Sequence, residues 1–178
     1  MTVKTEPPNV TQPRIEHRPA QAYLGIPRRV TNGVPNAVDS AFPELIGWLS
    51  EHDVQPSGPP FIRTSEVDAL GEPLELEVAV PVETAVPAGG AVHAGVLPEG
   101  RYMTMRHVGP YRSTSEPDLG DARNVFVRWA AEHGVTYSRE TDRGAALPCS
   151  VEHLLVSPGT ESDWTKWKTE FAYLVIED

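Results

Sequence analysis

GWLSEHDV (residues 47–54) and RWAAEHGV (residues 128–135) carry Trp, Glu, His and Val at the same four places of an eight-residue window. Chance rarely supplies four identities in so short a stretch. Working outward, Pro19, Tyr23 and Ile26 precede Pro98, Tyr102 and Met105 by a constant 79 residues, and the helix residues are offset by 81. Nearer the C-terminus, Glu77-Val78-Ala79 matches Glu170-Phe171-Ala172 at an offset of 93. The growing offset gives the second copy about a dozen extra residues between its helix and its last strand, and the chain reads as an internal duplication.

Each copy spells strand, helix, strand, strand. In the first, residues 14–30 are strand-like but broken at Pro19 and Pro27, and residues 31–37 form a turn. Ser40 is the expected N-cap of a helix in which Phe42, Leu45, Ile46, Trp48 and Leu49 recur at helical spacing, with Pro43 in its first turn. Short strands follow over residues 61–65 and 74–82. In the second copy, a strand over residues 92–108 is interrupted at Pro98, an amphipathic helix covers residues 121–133, and strands cover 151–156 and 169–176. The expected fold is α+β: duplicated strand–helix–strand–strand units forming a curved antiparallel sheet, with two main helices and a cleft between them. Residues 1–13, with Pro7, Pro8 and Pro13, read as a disordered tail. Residues 14–178 read as one domain, with pseudo-repeats at about 14–83 and 92–178.

Composition narrows the function. Fifteen Lys plus Arg against 25 Asp plus Glu leave a net charge of −10, which repels a phosphate backbone, so nucleic acid is not an expected direct partner. One cysteine, Cys149, excludes an internal disulfide framework and a Cys-rich zinc site. The six histidines show no metal-ligand spacing and no phosphate-binding glycine loop is present, so no cofactor is expected. No apolar run approaches the roughly 18 residues of a membrane span, and no signal-peptide core precedes the domain, so a cytoplasmic location without membrane contact is expected.

Glu170 is the most informative single position. It opens an otherwise apolar strand (EFAYLVI), with Ala172 and Leu174 on its own face, and a buried carboxylate there must find a cation, a donor or a proton. Trp164 and Trp167 lie in the loop just before it, and Tyr111 ends the HVGPY turn. Aromatic faces beside a carboxylate suit a flat cation. Phe61 is a further stacking candidate. Trp129 and Tyr102 have counterparts in Trp48 and Tyr23, and either pack in the core or line the cleft.

LPEGRYMTMRHVGPY (residues 97–111), the helix ending in WAAEHGV, and WKTEFAYLV (residues 167–175) together resemble the GyrI-like small-molecule-binding family, over nearly all of residues 14–178. GEPLELEVAVPV (residues 71–82) is similar to that family's acidic, Val-rich strand. The resemblance implies a cleft between two units that binds planar, often cationic aromatic compounds. It implies Glu170 as the carboxylate of the last strand, Tyr111 as the aromatic after the Gly-Pro turn, and Glu152 as a second acidic position. Leu174 and Ala172 depart from the family's usual proline and aromatic. The 13 residues before the domain are too few for a DNA-binding helix pair, so a free-standing binding protein that sequesters drugs is expected. The alternative is a hydrolase of strained, electrophilic natural products in which Glu170 is the catalytic acid or base. A protein partner, as for a gyrase inhibitor with an acidic, nucleic-acid-like surface, ranks third and is not expected.

Overall fold

Pro19 and Pro98 occupy equivalent places in the two copies, and at each the extended chain breaks and changes partner. The computed structural model describes residue 4 and residues 6–67, 72–138 and 149–177. The first copy contains β1 (Arg14–Arg18), β2 (Gln21–Arg29), α1 (Val34–Glu51), β3 (Phe61–Val67) and β4 (Pro73–Pro81). The second contains β5 (His93–Leu97), β6 (Gly100–Val108), α2 (Leu119–Glu132), β7 (Ser150–Val156), a 3-10 turn (Trp164–Lys166) and β8 (Lys168–Leu174).

What reads as one interrupted strand in each copy is therefore two. Proline has no N–H to continue the ladder, and the strand ends at Pro19 and at Pro98, whereas Pro27, also expected to break it, stays inside β2 opposite Glu77. β1 then pairs with β6 of the second copy, and β5 with β2 of the first, so each copy lends its opening strand to the other. All eight strands form one antiparallel sheet in the order β1-β6-β8-β7-β3-β4-β2-β5. β1 and β5 lie at opposite edges, yet each reaches the strand near the far edge across two residues. A link that short spans one strand spacing or two, so the sheet must curl into a half-barrel until its edges approach. The duplication is visible in the register. Glu77 is opposite Pro27 and Arg63 in the first copy, and Glu170 is opposite Arg106 and His153 in the second.

Both helices cover the outside of the curl. α1 packs on Leu24, Ile26, Leu76, Val78 and Val80, and α2 on Met103, Met105, Phe171 and Tyr173. α1 starts at Val34, earlier than an N-cap at Ser40 allows. Pro35 fits the first turn, and Ala37, Ala41, Leu45 and Leu49 supply a buried stripe that recurs every four residues. Ser40 donates instead to the Ala37 carbonyl, 2.9 Å away, and Pro43 lies inside the helix. α2 begins at a capping box in which Asp118 and Asp121 satisfy each other's backbone N–H groups.

The inside of the curl carries a third core of Tyr23, Phe61, Ala79, Leu97, Tyr102, Cys149, Val151 and Ala172, to which neither helix contributes. The hollow expected between the helices lies here, on the opposite face of the sheet. The segment read as a disordered tail also behaves differently from Asn9 onward. The Val108 N–H donates to the Asn9 carbonyl and the Thr11 N–H to the Arg106 carbonyl, both at 2.9 Å, so the segment extends the β1 edge along β6. Proline suits such an edge, where one side of the ladder needs no donor.

Candidate functional site

Glu170 sits on the inner face of β8 and is 5% exposed. The Arg18 guanidinium donates to one of its oxygens at 2.7 Å, and the Arg106 Nε donates to the other at 3.0 Å. The buried carboxylate has thus found its cations within the chain. Burial alone would push the Glu170 carboxyl up, but the hydrogen bonds from Arg18 and Arg106 outweigh it and hold the group below the usual glutamate range. Arg18 is shared, because its guanidinium also donates to Glu16 at 2.6 and 3.0 Å.

Beside this cluster is a cavity of about 150 Å³, lined by Arg18, Pro19, Gln21, Leu97, Tyr102, Val151, His153 and Ala172. It lies where the two proline breaks cross, near the pseudo-twofold axis. Arg18↔Gly100 and Gln21↔Leu97 are equivalent pairs, which makes Leu97 the counterpart of Arg18. Burial pushes the His153 imidazole down to about 4, against the pull of Glu170, so it is neutral at pH 7. Tyr102 donates to the Pro98 carbonyl at 2.6 Å, and burial raises its phenol well above the ordinary value. Phe61 is fully buried behind the wall, 5.5 Å from the His153 ring and 5.3 Å from the Tyr23 ring. Across the same face Glu77 is also 5% exposed, held by the Tyr23 hydroxyl at 3.2 Å, by His93, and by Arg63 at 3.8 Å.

The remaining candidates gather elsewhere. Glu152 is opposite Phe171 and Ile62, residues of the helix face, and it pairs with Arg123 of α2. Trp167 is on that face too, and Tyr111 packs on it with ring centroids 4.9 Å apart. Burial, with a smaller push from the Glu152 charge, raises the Tyr111 phenol to about 12. The Tyr111 hydroxyl is buried with no hydrogen-bond partner among the described residues. Trp129 stacks on His133 along α2, as Trp48 stacks on His52 along α1. Trp164 is 44% exposed. Glu170, Tyr102 and Phe61 are therefore brought together on one face, and Glu152, Tyr111 and Trp167 on the other. The single pocket expected to hold both sets is divided by the sheet.

Sequence reasoning passed over Arg18, Gln21, Leu97 and His153. One signal was available: Arg18 and Leu97 directly precede the matched prolines. A broader hollow of about 450 Å³ beside β6 is walled by the exposed side chains of His17, Glu99, Arg101 and Glu177. Among the described residues no group of three His, Cys, Asp or Glu side chains could hold a metal ion, and no helix is long and apolar enough to cross a membrane.

A duplicated half-barrel with two outer helices and a hollow on its inner face defines a class of ligand-binding domain. The chain belongs to the GyrI-like small molecule binding domain family, whose family model matches residues 11–147. That span ends before β7 and β8, so Glu152, Trp167 and Glu170 lie beyond it. The fold is similar to the EcmrR C-terminal domain in its crystal structure, at 16% identity and TM-score 0.68, covering 94% of this chain and 98% of that one. It is also similar to EcmrR in a cryo-EM EcmrR–DNA complex, at 15% identity and TM-score 0.75, covering 94% of this chain. There the chain spans 58% of the length of its neighbour. A hydrolase from Listeria innocua is similar at 16% identity and TM-score 0.55, covering 97% of this chain and 94% of that one. No curated protein sequence matches.

Proposed function

We propose that this chain is a small-molecule receptor whose site is the inner cavity, and that it captures flat aromatic compounds there. The observation that carries this is the cavity itself. About 150 Å³ of space stands beside the buried Glu170 and its partner Arg18, with apolar walls at Leu97, Val151 and Ala172 and polar groups at Arg18, Gln21 and His153. Apolar walls with a few convergent polar groups are the general make-up of a ligand site. A cavity of roughly this volume accepts one benzene-sized ring. Binding fits Glu170 better than hydrolysis does, because a carboxyl held ionised by two arginines has no proton to give as a general acid, and the same pairing weakens it as a base. Calorimetric titration with single-ring aromatic compounds tests the proposal. Ala172→Leu, which fills the hollow, should abolish the binding seen with the parent chain. Unchanged affinity in that variant would remove the cavity from the account.

A second reading is favoured by Tyr111. Its partnerless buried hydroxyl, its packing on Trp167 and the Glu152 charge on the same face suit a larger aromatic cation of the drug or dye type lying on the helix face. Such a ligand would compete with Arg123 for Glu152. Trp167→Ala and Glu152→Gln would weaken its binding and Ala172→Leu would not, so the same titrations separate the two readings.

A further inference from the structure

The charges around the inner cavity close on themselves. β1 brings Arg14, Glu16 and Arg18, β6 brings Arg106, β8 brings Glu170, β3 brings Arg63, β4 brings Glu77, β5 brings His93 against Glu77, and β7 brings the neutral His153. Each of these carboxylates is paired with at least one guanidinium within the chain. Arg18 alone of these charged groups lines the hollow, and it stands hydrogen-bonded to Glu170, which does not line it. The equivalent place in the other copy is Leu97, so the cavity has one guanidinium wall and one apolar wall.

A cationic guest would enter beside Arg18 and meet no unpaired carboxylate. To pair with Glu170 it would have to displace Arg18 or Arg106 from a charge-assisted hydrogen bond to a buried carboxylate. An anionic guest would face Glu16 and Glu170 just behind the same guanidinium. An uncharged ring disturbs neither pair, and the neutral His153 imidazole offers one donor and one acceptor to a polar substituent. Resting on the cavity reading above, we infer that the site selects an uncharged single-ring aromatic bearing a carboxamide- or hydroxyl-type group, and that Arg18 is the residue that excludes cations. The flat cation expected from the sequence presumed an unpaired Glu170.

Benzamide and benzamidinium have nearly the same shape and differ in charge, and calorimetric titration of both at pH 7.5 reads the selection. The parent chain should bind benzamide at least about tenfold tighter. Arg18→Gln, which leaves Glu170 short of one cation, should shift the ratio toward benzamidinium by about tenfold, and Arg18→Lys should keep the parent's preference. Thermal melting of each variant shows that it is folded, and Arg18→Lys keeps the comparison informative if Arg18→Gln is not. Benzamidinium binding the parent as tightly as benzamide, or an unchanged ratio in Arg18→Gln, would overturn the selection while leaving the cavity reading standing. Binding of neither probe would overturn the cavity reading, and the selection with it.

Discussion

Glu170 and Glu152 lie on opposite faces of the sheet. The direct cross-strand partner of Glu170 is His153, one residue beyond Glu152, and side chains alternate faces along a strand. One acid therefore belongs to the inner cavity and the other to the helix face. The two should respond differently to neutralisation. Glu170→Gln leaves Arg18 and Arg106 short of a buried counter-charge and should cost about 2 kcal/mol, below the full figure for a buried pair because both arginines are partly exposed. Glu152→Gln frees the half-exposed Arg123 and should cost under about 1 kcal/mol. Urea denaturation of both variants checks the order, and an equal cost would contradict the assignment of faces.

Acid should weaken the fold before the carboxylates titrate. Burial holds His153 neutral down to about 4, and burial also lowers His107, whose ring nitrogens have no partner among the described residues. An unfolded histidine takes up its proton near pH 6.5 and these native ones do not, so the unfolded state binds more protons as the pH falls through that value. The stability these groups contribute is fully present above about pH 6.5 and is lost between there and their native pKa values. His153 should account for up to about 3 kcal/mol of that loss by pH 4. Melting temperatures from pH 7.5 to 4.5 should fall, and fall less steeply in His153→Gln; a parallel decline in the variant would contradict the neutral imidazole.

Gly95 faces Tyr23 across β5 and β2, and a Cβ there would enter the Tyr23 ring's own space. The ring cannot step aside freely, because Arg63 donates to its hydroxyl at 2.8 Å and that hydroxyl bonds Glu77. Gly95→Ala should cost about 1–3 kcal/mol as an overpacking change. Gly89→Ala, where a Cβ meets nothing, should be close to neutral. Thermal melting of the two variants compares them directly.

Filling the hollow should separate stability from binding. In Ala172→Leu the added carbons enter the cavity more than they press on packed neighbours, so the change in stability should stay below about 1.5 kcal/mol while the ligand space is lost. A folded variant with normal melting and no calorimetric signal is the expected outcome. A large loss of stability would show that the space is smaller than described.

Particular residues show how much of this could be read from the chain. Trp48 and Trp129, Tyr23 and Tyr102, and Glu77 and Glu170 identified the duplication because a repeated fold keeps its spacing, and the registers around Glu77 and Glu170 repeat accordingly. The face of Glu170 followed from alternation with Ala172 and Leu174. The exchange of β1 and β5 did not, because Pro19 and Pro98 mark a break in a strand without saying which neighbour each piece joins. The pairing of Glu170 with Arg18 spans 152 positions, and no local pattern carries contacts that distant. The family resemblance alone sets Glu152 beside Glu170 as a second acidic position, and a one-residue difference in strand phase puts the two on opposite faces. α1 starts earlier than the sequence pattern suggests, because Pro35 has the look of a turn signal and serves instead as a first-turn residue.

The central claim is that a small aromatic guest occupies the inner cavity, and amide chemical-shift mapping during titration with benzamide tests it most directly. The account predicts saturable shifts centred on Tyr102, Val151, His153 and Ala172, with little change at Tyr111, Glu152 and Trp167. Shifts centred on Tyr111, Glu152 and Trp167 instead, with Val151 and Ala172 unmoved, would contradict it.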